Sequence, residues 1–107
     1  NLQIYLRSTD YFLANNWNAC TGAFLVHLIC NLNGIDLNPG DLSVITGDTH
    51  LYKSHLDAVR ENLERTPKPF PKLLVLNKYD SLKEFSYQDI KIIGYDYYPN
   101  IKVDMAV

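Results

Sequence analysis

Tyr5-Leu6-Arg7-Ser8-Thr9-Asp10, with Asn15-Asn16-Trp17-Asn18 close behind it, is the stretch from which the rest of the chain can be read. Leu2, Ile4 and Leu6 alternate with Gln3, Tyr5 and Arg7, the period of two that marks a half-buried strand, so Arg7 faces away from Leu6. Asp10 has the short acceptor side chain that caps a helical turn over residues 11–14, and Asn15 or Asn16 can cap a longer helix beginning at Trp17. Gly34 is placed to end that helix. An Arg, a hydroxyl, a carboxylate and an amide therefore meet where a strand gives way to a helix. Arg7 offers a planar fork for phosphate and Ser8 a hydroxyl donor; Asp10 accepts from amide-like N–H groups, and Asn18 carries a donor beside an acceptor. That chemistry suits a nucleotide.

Taken singly, each residue also has a plainer reading. Arg7 on a strand edge is an ordinary surface charge, and Asp10 and Asn18 are ordinary helix caps. His50 and Tyr52, two apart in a strand-like run, face one side and can share a hydroxyl, or are partly buried rings satisfied by backbone. The histidines lack the spacing of a metal pair, and no metal is expected. Cys20 and Cys30 fall within one helix, too far apart along its axis to bridge, and suit a reduced compartment as inert thiols.

The helix from Trp17 is apolar nearly all round, with Trp17, Cys20, Phe24, Leu25, Val26 and Leu28 spread over its circumference, and is predicted to be buried. Beyond the turn Asn38-Pro39-Gly40-Asp41, residues 42–46 form a strand and residues 54–65 an amphipathic helix with Leu56, Val59 and Leu63 on one face. Prolines at 67, 69 and 71 exclude regular helix before a strand over residues 72–77. Ser81-Leu82-Lys83-Glu84 has capping-box spacing, and residues 90–94 form a last strand. The pattern gives an α+β fold, a mixed sheet packed against a long buried helix.

The chain's 107 residues, 47% hydrophobic and 21% charged, suffice for one small domain. A net charge of −2 argues against a polyanionic partner, so no nucleic acid and no membrane is expected, and the longest apolar run is too short to span a bilayer. Asn1 opens the sequence and Met105 is its sole methionine, from which a fragment of a longer protein is expected.

The same residues carry a resemblance. Tyr-x-Arg-Ser-x-Asp with Asn18 near the start of an apolar helix, then Gly47-Asp48-Thr49-His50-Leu51-Tyr52, is similar to the thymidylate synthase family. Pro69-Phe70-Pro71-Lys72-Leu73, Gly94-Tyr95-Asp96 and the ending Ile101-Lys102-Val103-Asp104-Met105-Ala106-Val107 follow in that family's order, so residues 1–107 resemble the C-terminal portion of a single such domain.

The resemblance implies reductive methylation of dUMP to dTMP, with methylenetetrahydrofolate as co-substrate and dihydrofolate released, by a cytoplasmic homodimer. It implies a dUMP set of Arg7, Ser8, Thr9, Asp10, Asn18, His50 and Tyr52: Arg7 and Ser8 on phosphate, Asn18 on uracil, His50 and Tyr52 on the 3′-hydroxyl. Asp10 and Ala106 match folate contacts. The family's nucleophilic cysteine lies in a Pro-Cys-His segment upstream of the Arg-Ser motif, and only six residues precede Arg7, so no nucleophile is expected here and Asn18 only assists catalysis. The isolated chain is accordingly expected to be inactive. A dUMP/dCMP hydroxymethylase of the same fold, or a non-catalytic nucleotide-binding half of a split protein, are the alternatives. Leu6, Ala14, Asn16, Trp17, Thr21 and Gly22 depart from the family's usual Gln, Gly, Pro-Phe and Ser-Tyr, and all flank the expected pocket.

Overall fold

Strand β1 (Leu2–Asp10) buries the sides of Leu2, Ile4 and Leu6 more than those of Gln3, Tyr5 and Arg7, as the alternation requires. The computed structural model describes residues 1–105. β1 pairs in parallel with β2 (Leu42–His50), in a register that runs from Leu2 opposite Leu42 to Asp10 opposite His50. Two parallel strands need a crossover, which helix α1 (Asn15–Cys30) supplies. At Gly22 the helix lies so close to the sheet that an added Cβ would stand 3.1 Å from a Leu42 methyl and 3.4 Å from Ile4 Cδ1. The departure at position 22 thus sits in the helix–sheet contact. At Gly47 an added Cβ would stand 2.7 Å from the Arg7 carbonyl oxygen, which explains why β2 carries a glycine there.

The short 3₁₀ turn Lys53–His55 leads into helix α2 (Leu56–Glu64). β3 (Lys72–Val75) and β4 (Ile90–Ile93) form a second, antiparallel ribbon, with Lys72 opposite Ile93 and Val75 opposite Ile90. Parallel and antiparallel pairings therefore coexist with helices, an α+β architecture. The ribbon is tied to the end of α1 by a bridge between Leu32 and Tyr79, by the Asn33 N–H donating to the Tyr79 carbonyl at 2.8 Å, and by Asn33 Nδ2 donating to Asp80 at 2.8 Å.

Several expectations need correction. α1 is not buried all round: of its side, only Gly22 and Val26 are buried, while Trp17 is 79% exposed and Leu25 and Ile29 also face solvent. One two-stranded sheet covers one face of a helix and no more. α1 starts at Asn15, with Ala14 at the cap position and no side-chain cap, because the turn opened by Asp10 runs straight into it. The Ala14 N–H donates to the Asp10 carbonyl at 3.0 Å and the Asn18 N–H to the Ala14 carbonyl at 3.1 Å, so backbone does what a capping side chain would do. The helix stops before Gly34, since Asn31 Nδ2 donates to the His27 carbonyl at 2.9 Å; Gly34 takes φ +74° a few residues later. Along the 3₁₀ turn and α2 the buried positions are His55 and Ala58, with Val59 half-buried, and Leu56 and Leu63 are exposed. The capping box forms at Ser86 with Asp89, whereas Ser81 only accepts from the Lys83 N–H.

Candidate functional site

The carboxyl ends of β1 and β2 lie side by side, Asp10 opposite His50, and the Tyr11 N–H extends the ladder by donating to the His50 carbonyl at 2.9 Å. In open α/β arrangements this end of parallel strands is where ligands bind, since the chain leaves it in loops and helix starts that present polar groups. Here a cavity of about 490 Å³ opens, with Asp10, Asn18 and Tyr52 as polar groups and Leu13, Trp17 and Met105 among the apolar ones.

Asp10 has a divided role. Its Oδ1 accepts from the Phe12 N–H at 3.0 Å and the Leu13 N–H at 3.1 Å, which is the cap expected of it. Those two bonds fix the carboxylate plane. Oδ2 stands 3.9 Å from His55 Nδ1, beyond hydrogen-bond reach, and keeps its lone pairs for other donors. The capping reading and the binding reading of Asp10 are therefore compatible. For Asn18 they are not: it sits inside α1 with Ala14 at the cap, so capping is excluded and its half-buried amide belongs to the cavity wall.

His50 and Tyr52 meet edge to face with ring centroids 5.2 Å apart. β2 ends at His50, so their proximity comes from the bend after the strand and not from strand alternation. His50 Nδ1 lies 3.5 Å from Asp48 Oδ1, a solvent-exposed pairing. Arg7, Ser8 and His50 are not in the cavity wall; Arg7 and Ser8 are exposed on β1, and the Arg7 guanidinium forms no ion pair among the described residues. Thr9 is buried, its hydroxyl 3.5 Å from the Asp10 carbonyl. Ala106 lies outside the described residues. The structure thus gathers Asp10, Asn18 and Tyr52, keeps His50 against Tyr52, and leaves Arg7 and Ser8 apart.

One residue of this region escaped sequence reasoning. His55 is fully buried, bracketed by Phe12 at 6.0 Å and Tyr52 at 5.6 Å between ring centroids. The signal that could have found it is its place three and four residues before Ala58 and Val59, on the apolar stripe of α2. Cys20 is exposed and Cys30 half-buried, and neither lines the cavity. Among the described residues no three His, Cys, Asp or Glu side chains gather as a ligand set, and no helix is long and apolar enough to cross a membrane.

Fold and site together define an α+β architecture with a cavity at the carboxyl ends of paired parallel strands. The sequence profile described as Thymidylate synthase matches residues 1–107, and the chain belongs to the thymidylate synthase family. It is 39% identical over 107 residues to a thymidylate synthase of Pseudomonas fluorescens (strain SBW25), covering all of this chain and 38% of that protein. It is 39% identical over 105 residues to the thymidylate synthase of Homo sapiens, covering 98% of this chain and 33% of that protein. The chain therefore spans between a third and two fifths of the length of these relatives.

Proposed function

We propose that residues 1–107 form the C-terminal portion of a single thymidylate synthase domain, whose complete, homodimeric and cytoplasmic enzyme converts dUMP to dTMP. The observation that carries this reading is the convergence of Asp10, Asn18 and Tyr52 on one cavity with apolar walls. A few fixed polar groups among apolar ones suit flat heterocycles, which need burial of their faces and hydrogen bonds at their edges.

Asn18 presents an amide to the uracil edge, matching a ring N–H and a carbonyl together, and can stabilise charge that develops on that carbonyl. Arg7 and Ser8, exposed and uncommitted, bind the phosphate of dUMP, and Thr9 supports them from within the strand. His50 and Tyr52, ring against ring, hold the deoxyribose 3′-hydroxyl. Asp10 fits the folate as well: its Oδ1 is fixed by two backbone donors, so Oδ2 is held rigidly for N–H groups of a pterin. Ala106, which lies outside the described residues, matches a family position that contacts the folate. Methylenetetrahydrofolate, when bound, supplies the one-carbon unit and the hydride. Leu13, Trp17 and Met105 exclude water around it. The nucleophilic cysteine comes from a part of the enzyme other than these residues, with Cys20 and Cys30 both away from the cavity.

The test is product analysis of the full-length protein given dUMP and methylenetetrahydrofolate. dTMP and dihydrofolate in equal amounts are expected. Hydroxymethyl-dUMP would instead assign a hydroxymethylase, and dUMP binding without turnover a non-catalytic module.

A further inference from the structure

We propose that His55 is a positioning residue that ties the C-terminal tail to the Asp10 corner, so that Met105 is held in the cavity wall. The imidazole is fully buried, and burying a polar ring costs free energy that a hydrogen bond from one of its nitrogens offsets in part. Nε2 lies 2.8 Å from the Asp104 carbonyl oxygen. A carbonyl only accepts, so Nε2 carries the proton and donates it. The residue after Asp104 is Met105, which is 80% exposed yet lines the cavity, so little apolar packing of its own holds it there.

The ring itself is packed between Phe12 and Tyr52 at 6.0 and 5.6 Å. Nδ1 makes no hydrogen bond, and Asp10 Oδ2 lies 3.9 Å from it. Asp10 and Tyr52 are both cavity residues. His55 thus stands behind the wall and links the Tyr52 ring, and Phe12 in the turn that Asp10 caps, to the backbone that carries Met105. The other hydrogen bond from the tail to α2's end, Arg65 Nη1 donating to the Pro99 carbonyl at 2.8 Å, lies five residues upstream of Asp104. That bond alone would leave Met105 six residues from its anchor.

The inference rests on the folate assignment above, and its test separates the two. In the full-length protein, His55→Phe keeps the volume of the ring without a donor, whereas His55→Gln places an amide N–H near the Nε2 position. The Phe variant is expected to raise the KM for methylenetetrahydrofolate about five- to tenfold, the scale of one lost hydrogen bond, with the KM for dUMP unchanged. The Gln variant should restore the folate KM to within about twofold of the parent. Amide hydrogen exchange over residues 102–105 should speed up in the Phe variant and not in the Gln variant. Equal effects of Phe and Gln, or parallel rises in both KM values tracking a lower Tm, would overturn the proposal in favour of a merely structural histidine, as would no change in either variant. Should the Phe variant fail to fold, His55→Asn, whose shorter amide does not reach the Nε2 position, takes its place in the same comparison. If the parent protein makes no dTMP, the functional reading fails, and the exchange comparison, which needs no turnover, still decides the tether.

Discussion

Asn18 carries the sharpest prediction at the scale of a single residue, because its position inside α1 removes the cap as a competing role. Uracil offers a ring N–H beside a carbonyl; cytosine offers an acceptor beside an amine. An amide held in one orientation pairs with the first and leaves an unpaired polar group with the second, a difference of about 1–3 kcal/mol. Asn18→Asp removes the donor to the uracil carbonyl and gives an acceptor to the cytosine amine. In the full-length protein this change should lower kcat/KM for dUMP and raise the dCMP to dUMP ratio by about tenfold or more, following that energy. An unchanged ratio would mean that Asn18 does not read the base. The cysteines give a second prediction: the 107-residue chain should form no covalent adduct with a fluorinated dUMP analogue, since Cys20 and Cys30 lie on α1 away from the cavity. Mass spectrometry of the incubated chain decides it, and a labelled Cys20 or Cys30 would reverse the assignment.

Between β1 and β2 the decisive element is a glycine. A methyl at position 47 would meet the Arg7 carbonyl oxygen at 2.7 Å, and backbone cannot step aside as a side-chain tip can. Gly47→Ala is expected to destabilise the full-length protein by about 1–3 kcal/mol, read as a lower denaturant midpoint at constant m. The β3–β4 ribbon is organised around the buried Asp89. Asn77 Nδ2, the Ser86 N–H, the Tyr79 hydroxyl and the Ser86 hydroxyl all donate to it and hold its carboxyl down at about 2, against burial pushing the other way. The same bond raises the Tyr79 phenol above its usual value. A lowered carboxyl stabilises the fold fully above its ordinary 3.8 and loses that contribution as pH falls toward about 2, where the unfolded chain binds the proton first. Asp89→Asn should flatten acid unfolding between those two values; an unaltered profile would show that another carboxyl controls it. What the sequence disclosed and concealed follows the same physics. Strand alternation in residues 2–6 and the cap chemistry of Asp10 act within a few residues, and both are present in the structure. The start of α1, the buried stripe of α2 and the role of His55 depend on what lies across the fold: the turn after Asp10, the Tyr52 ring and the Asp104 carbonyl. Local patterns contain no trace of those partners. Side-chain chemistry at the strand–helix junction singles out Arg7 and Ser8 as phosphate ligands, and the family resemblance gives them the same role, yet both lie outside the cavity wall.

At the scale of the whole molecule, the surface is too large for the mass. An accessible area of 8570 Å² exceeds the roughly 6100 Å² expected of a folded monomer of 12.3 kDa, and a radius of gyration of 16.3 Å exceeds the roughly 13 Å expected of a domain this long. Much of the excess is apolar: Trp17 is 79%, Leu63 77% and Phe70 95% exposed, while the buried hydrophobic side chains among the described residues are Val26 and Ala58. An excess of about 2500 Å² on this side alone corresponds to about 5000 Å² counted over both partners, the scale of large obligate interfaces, so these faces are suited to cover by further protein. Folding this chain by itself forfeits that burial but still requires the conformational entropy of ordering each residue. Side-chain packing, which needs a covered interior, should fail before backbone pairing in β1, β2 and α1, which does not. The isolated 107-residue chain is therefore expected to retain far-UV circular dichroism, to bind a hydrophobic dye, to lack a cooperative thermal transition and to associate at micromolar concentration. A monodisperse monomer with a sharp melt, coincident by near- and far-UV signals, would show that α1 and the sheet find enough cover within these residues alone.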